Sequence, residues 1–274
     1  MSEEVYTSNE REAASAFTKQ APNFDELYGT DEITLYKRKR VRDHVLRWLN
    51  PAASILELNA GTGEDAIYFA SQGHRVHATD ISSGMQEILK QKLTRKNLLA
   101  KVSQELCSYT HLAELKCRGP YDLIFSNFAG LNCTDQLGGV LDSFNSLLKP
   151  GGIVTLVVLP RFCFWEGLLL FKGKFRTAFR RIFSGSGTKA RVEGQYFKCW
   201  YYPPSFIINR LKRDFDLLSL EGLCTCVPPS YMQGFDKKYP RLYHFLQARE
   251  EGLKEKWPWK LMGDYYIITF RRKD

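Results

Sequence analysis

Residues 55–70 read Ile55-Leu56-Glu57-Leu58-Asn59-Ala60-Gly61-Thr62-Gly63-Glu64-Asp65-Ala66-Ile67-Tyr68-Phe69-Ala70. The apolar run 55–58 breaks at Gly61 and Gly63, then passes into Ala66, Ile67, Phe69 and Ala70 at helical spacing, the pattern of strand, tight turn and helix. Glycine suits positions 61 and 63 because the turn calls for positive φ and any Cβ would stand between backbone and ligand. The helix that follows, over 64–72, aims its free N–H groups at that ligand. After a turn at Gly73, residues 75–80 alternate like a strand and end on Asp80. Asp80 lies 23 positions beyond Glu57, close to the spacing at which an acid closing the second strand of a βαβ unit takes ribose hydroxyls. The two features together mark a nucleotide-type cofactor loop.

Residues 61–66 satisfy the G-x-G-x-x-G/A pattern, so a nicotinamide dinucleotide competes for the loop. Glu57 within the strand and Glu64 and Asp65 at the helix start would repel its pyrophosphate. Three carboxylates suit a ligand that brings a sulfonium, an amino group and no phosphate, namely S-adenosylmethionine.

The ordered series 56–63 (Leu-Glu-Leu-Asn-Ala-Gly-Thr-Gly), 78–85 (Ala-Thr-Asp-Ile-Ser-Ser-Gly-Met), 121–127 (Tyr-Asp-Leu-Ile-Phe-Ser-Asn) and 147–152 (Leu-Leu-Lys-Pro-Gly-Gly) resembles the motifs of class I S-adenosylmethionine-dependent methyltransferases. It is most similar to the branch that holds the quinone-biosynthesis and many small-molecule enzymes, over roughly residues 15–160. The resemblance implies an α/β fold: a doubly wound, Rossmann-like, seven-stranded sheet with an aromatic, basic cap inserted after strand five. It implies a cofactor site of Glu57, Asn59, Gly61, Thr62, Gly63, Asp80, Ile81, Met85 and Asn127, the last at the end of strand 121–126. It also implies that the lead-in around Phe24 lies over the cofactor, where packing against helix 34–49 is the other reading. The basic face of that helix offers Arg38 or Arg40, with Arg40 preferred, to the methionine carboxylate. Where many relatives place an adenine-reading Asp after the third strand, this chain has Cys107-Ser108-Tyr109-Thr110.

Further strands are expected at 101–106, 153–159, 215–226 and 264–271, the last two as an antiparallel pair at the sheet edge. Helices are expected at 84–96, 135–148 and 239–256. The domain reading is a lid segment 1–33 with a polar, mobile start through residue 14, a cofactor-binding core 34–160, a cap 161–213, and C-terminal strands with a helical excursion 214–274.

The 274 residues carry a net charge of +9 and seven cysteines without a C-x-x-C pair, which speaks against a disulfide framework and a zinc site. No apolar run is long enough to span a membrane and the start is no signal peptide, so a cytoplasmic protein is expected. Between residues 161 and 191, eight Lys or Arg accompany a single acid, Glu166. There Phe171, Phe175, Phe179 and Phe183 repeat every fourth residue, one face of a helix. That stripe is either a lid packed on the core and walling the acceptor site or a surface that meets lipid. Asn132, Trp165 and Tyr231 are the candidate acceptor contacts, with His244 a further one. No Asn/Asp-Pro-Pro-Tyr/Phe signature for amine acceptors is present, and no residue announces itself as a general base.

The leading expectation is therefore methyl transfer to oxygen or carbon of a hydrophobic, aromatic or lipid-like small molecule. An RNA methyltransferase, suggested by the charge, and a non-catalytic cofactor-binding protein remain the alternatives.

Overall fold

In the computed structural model, which describes residues 6–274, a mixed sheet separates two helical layers. Helix α1 (Ser8–Gly29) opens the chain. Thr7 caps it by accepting from the Glu10 N–H while the Glu10 carboxylate accepts from the Thr7 N–H at 2.9 Å, a reciprocal capping box. This corrects the expectation of a mobile stretch through residue 14 from Ser8 onward; residues 1–5 lie outside the described part. Small and apolar residues at 13, 16, 17, 21 and 24 form one helical face together with Gln20, and Ala13, Ala16 and Ala21 are buried along it. Helix α2 (Glu32–Leu46) starts two residues earlier than expected because Asp31 accepts from the Thr34 N–H at 2.8 Å.

The cofactor loop follows as β1 (Ser54–Leu58), α3 (Glu64–Ser71) and β2 (Arg75–Asp80). Then come α4 (Ser83–Arg95), β3 (Val102–Leu106), β4 (Tyr121–Ser126), α5 (Leu137–Leu147) and β5 (Leu148–Val158). Strand β5 begins five residues before its apolar run, because Leu148 pairs with Tyr121 ahead of a register shift. Side chains of β1 alternate: Ile55 joins one core with Phe69, Leu89 and Phe125, while Leu56 and Leu58 join the other with Phe144, Leu156 and Ile268.

After β5 the chain forms α6 (Phe164–Gly167), α7 (Phe175–Phe179), the hairpin β6 (Thr188–Val192) and β7 (Gln195–Cys199), and α8 (Pro204–Leu211). It closes with β8 (Phe215–Leu223), α9 (Phe235–Lys238), α10 (Pro240–Leu253) and β9 (Tyr265–Arg272). The sheet order is β3-β2-β1-β4-β5-β9-β8, with β9 antiparallel to both β5 and β8. Among the described residues no helix is long and apolar enough to cross a membrane.

The fourfold phenylalanine stripe does not form a helix face. Residues 168–172 make a separate 3-10 turn, Gly173 at φ +70° ends it, and α7 starts afresh. Phe171 is 89% exposed and Phe183 79%, so the stripe does not pack on the core as a lid. Its neighbour Arg181 is instead buried, holding Glu166 and Asp264 at 2.7 Å each.

Candidate active site

The carboxyl ends of β1, β2 and β4 open into a cleft roofed by α1. At its centre the loop 59–63 turns with Asn59, Gly61 and Gly63 at φ +47°, +56° and +79°. The space where a Gly61 Cβ would stand is empty, whereas at Gly63 a Cβ would lie 2.1 Å from Leu89. Gly61 therefore opens the cleft, and Gly63 lets α3 pack on α4.

Asn59, though not glycine, keeps its left-handed backbone by bridging. Its amide donates to the Asn127 carbonyl at 2.9 Å and its side-chain oxygen accepts from the Ser126 hydroxyl at 2.6 Å. The Asn127 amide in turn donates to Asp65 at 2.8 Å. Asp80 accepts from the Gly61 and Ser82 N–H groups, both at 2.8 Å. Burial pushes its carboxyl up, and these backbone donors oppose the shift. Thr62 donates to Asp25 of α1 at 2.6 Å, and Lys92 bonds both Asp25 and Glu64, tying the roof to the loop.

Glu57 is the electrostatic anomaly. It is buried, lines the cleft, and its Oε2 has no hydrogen-bond partner. Burial first, and then the Asp65 charge, push its pKa well up. Glu64 and Asp65 differ: Lys92 neutralises the first, and Arg42, at 2.7 Å, with Arg38, at 3.7 Å, the second. The three carboxylates are thus not three free charges, since two are paired and the third is driven toward its neutral form.

Of the sequence-derived residues, Phe24, Glu57, Asn59, Gly61, Thr62, Asp80, Ile81, Met85 and Asn127 line the cleft. Arg40 does not. It is buried against Glu221 at 3.1 Å and Glu250 at 3.4 Å, on the far side of α2, and Arg38 faces the cleft instead. Helical periodicity explains the swap, since neighbours two apart on a helix point to opposite sides. Asn132 is a scaffold residue, donating to the Trp200 and Leu159 carbonyls at 2.6 and 3.2 Å. Trp165 packs between Phe164 and Phe235, Tyr231 is 52% exposed, and His244 bonds Gln247 on the exposed side of α10. None of these four lines the cleft or the cavity beside it.

Residues missed from sequence include Ala13 and Phe17 of α1, for which the periodic face of α1 was a signal, and Tyr109, discounted for want of the adenine-reading Asp, also lines the cleft. Phe128 lies where the end of strand 121–126 was expected to deliver it, with φ at +48°. Phe17, Phe24, Arg38 and Phe128 also border a second cavity, completed by Lys37, Thr34 and Tyr265 among others. The wall of this second cavity thus comes from α1, α2, Phe128, Ser230 and the start of β9, and the expected cap 161–213 contributes Val192 of β6 to it and no other described residue.

A sheet in this strand order, with its antiparallel edge pair and its cleft at the carboxyl ends of the first strands, is the class I methyltransferase fold. Residues 55–152 match the methyltransferase domain family, and the chain carries a methyltransferase domain of the S-adenosylmethionine-dependent class I type. It is 29% identical over 133 residues to an uncharacterized methyltransferase of Synechocystis, covering 47% of this chain and 59% of that protein. It is 28% identical over 149 residues to a demethylmenaquinone methyltransferase of Bacteroides fragilis, covering 52% and 58%. It is 30% identical over 116 residues to a tRNA 5-carboxymethoxyuridine methyltransferase of Escherichia coli, covering 42% and 44%. The chain thus spans less than two thirds of the length of these relatives. Among solved structures, 1,6-didemethyltoxoflavin-N1-methyltransferase of Burkholderia thailandensis, with bound S-adenosylhomocysteine, superposes with a TM-score of 0.57. The identity is 17%, over 98% of this chain and 92% of that one.

Proposed function

We propose that this protein transfers a methyl group from S-adenosylmethionine to a largely apolar small molecule seated in the cavity beside the cleft. The observation that carries this reading is the unpartnered Glu57 carboxylate facing a cleft that abuts an aromatic-walled cavity. The residues present fit the cofactor. Glu57 offers the cofactor's amino group a buried, unpartnered carboxyl that a positive charge beside it would hold ionised, and Asp80 offers a carboxylate to the ribose. The open face of Gly61 admits a ligand against the backbone, and Ile81, Met85 and Tyr109 give an apolar wall for a base.

When bound, the cofactor supplies a methyl carbon on a sulfonium, a leaving group already activated. Phe17, Phe24 and Phe128 then exclude water and hold the acceptor nucleophile in line, an alignment effect worth about 7–11 kcal/mol in favourable cases. Glu57 and Asp80 would hold the cofactor as it gives up the methyl carbon and its sulfur leaves as a neutral thioether, while an acceptor proton, where there is one, would pass to solvent. With Asp25, Lys92 and Thr62 latching α1 to the loop, the roof is held shut during that step.

A second reading, methylation of RNA, is favoured by the net charge of +9 and by the similarity to the tRNA methyltransferase. Labelled methyl transfer into a lysate, fractionated into solvent extract, nucleic acid and protein, separates the two. Label in the extract is expected; label in RNA would replace the first reading by the second. No label, with S-adenosylhomocysteine bound, would make the chain a binding protein. Asp80→Ala is expected to weaken S-adenosylhomocysteine binding by roughly tenfold or more, and unchanged binding would refute the cleft assignment.

A further inference from the structure

We infer that the second cavity is an anion-binding acceptor site in which the Lys37 ammonium pairs with a negatively charged group on an otherwise apolar acceptor. This rests on the proposed function and narrows its substrate class.

Lys37 projects from α2 and is 2% exposed. Among the described residues no carboxylate lies within ion-pair distance of it. Its one polar partner is the neutral Ser230 hydroxyl at 2.9 Å. The remaining contacts are ring faces: Nζ lies 5.4 Å from the Phe128 centroid and 4.9 Å from that of Tyr265. Ring quadrupoles attract a cation but carry no net charge. A buried ammonium held this way is short of a counter-ion, and burial without one is costly.

The group also lines a cavity that opens to solvent on one side. The cavity, about 650 Å³ including its open mouth, is bordered by Lys37, Ser230 and Tyr265 on one side and by Phe17, Phe24 and Phe128 on the side it shares with the cofactor cleft. Phe128 is the partition. Lys37 lies over its ring, and so does Arg38, whose guanidinium carbon is 5.1 Å from the centroid. Arg38 at least shares Asp65 with Arg42, at 3.7 and 2.7 Å, whereas Lys37 has no carboxylate within ion-pair distance among the described residues. A planar apolar body against the aromatic wall, with its anionic group at Lys37 and Ser230, satisfies both the cavity and the cation. Such a group is a carboxylate or an acidic ring hydroxyl. By contrast, an acceptor bearing a free ammonium would meet a like charge there.

The test uses the full chain saturated with S-adenosylhomocysteine, titrated with 2-naphthoate and with the neutral, similarly shaped 2-naphthamide. The carboxylate is expected to bind roughly tenfold or more tightly than the amide. Lys37→Met should erase that preference while leaving S-adenosylhomocysteine affinity unchanged, and Ser230→Ala should reduce it only in part. Equal affinity of the two probes for the wild-type chain, or no binding of 2-naphthoate, would overturn the inference without touching the cofactor reading. So would a Lys37→Met chain that keeps the preference. The cofactor reading fails separately: a wild-type chain that does not bind S-adenosylhomocysteine removes it, and the inference with it.

Discussion

Two cations three residues apart on α2, Lys37 and Arg40, are both buried, and their surroundings are opposite. Arg40 enters a dense set of ion pairs. Glu221 and Glu250 face it, the first also bonded by His44 at 2.8 Å and Arg47 at 3.1 Å. His44 passes its other ring nitrogen to Thr269 of β9 at 2.8 Å, so the cluster joins α2 to the sheet edge and, through Glu250, to α10. Among the described residues, the Lys37 ammonium meets a hydroxyl and two rings and no carboxylate. The contrast separates a cation spent on holding the fold from one left available to a ligand.

The sharpest way to break that contrast is Glu221→Gln. Removing the charge leaves Arg40 with Glu250 alone among its buried partners and costs Arg47 its buried carboxylate, and breaking a buried pair costs about 3–5 kcal/mol. Urea denaturation of the variant reads this directly, and a loss below about 1 kcal/mol would mean that the cluster does not hold α2 to the sheet.

The next largest effect is on acid stability. Burial pushes Glu221 up, but the His44 hydrogen bond and the charges of His44, Lys254 and Arg40 outweigh it and hold the carboxyl at about 2. A depressed carboxyl stabilises the fold fully above its unfolded pKa of about 4.3 and loses that contribution as pH falls toward about 2, on the order of 3 kcal/mol in all. Stability measured from pH 6 to 2 should fall more steeply for the wild type than for Glu221→Gln; parallel curves would assign the acid limb elsewhere.

The smallest effect is expected at Lys37. Lys37→Met exchanges an ammonium without a counter-ion for an apolar chain against two rings, and the stability change should stay within about 1 kcal/mol. A loss as large as that of Glu221→Gln would make Lys37 a structural cation like Arg40.

Neither role was legible in the run Lys37-Arg38-Lys39-Arg40. Four consecutive basic residues point in four directions around a helix, and only the packing of α2 assigns each. Lys39 is exposed and pairs with Asp43 one turn on, Arg38 looks into the cleft, Arg40 into the ion cluster, and Lys37 into the second cavity. The preference for Arg40 over Arg38 failed on this angular detail. The expectation for the phenylalanine stripe failed for a related reason, since fourfold spacing implies one face only if the helix is continuous, and Gly173 ends it.

What the chain's sequence determined by itself was the cleft at the carboxyl ends of the strands. Its lining comes largely from the strand ends and turns of 55–85 and from the end of β4, where local pattern and backbone demand at Gly61 and Gly63 leave little freedom. The second cavity, where the acceptor is proposed to sit, was decided by tertiary structure alone. Its wall joins Phe17, Lys37, Phe128, Ser230 and Tyr265, residues up to 248 positions apart. No local period relates them, because they meet only after β9 has inserted beside β5 and α1 has folded back over the sheet.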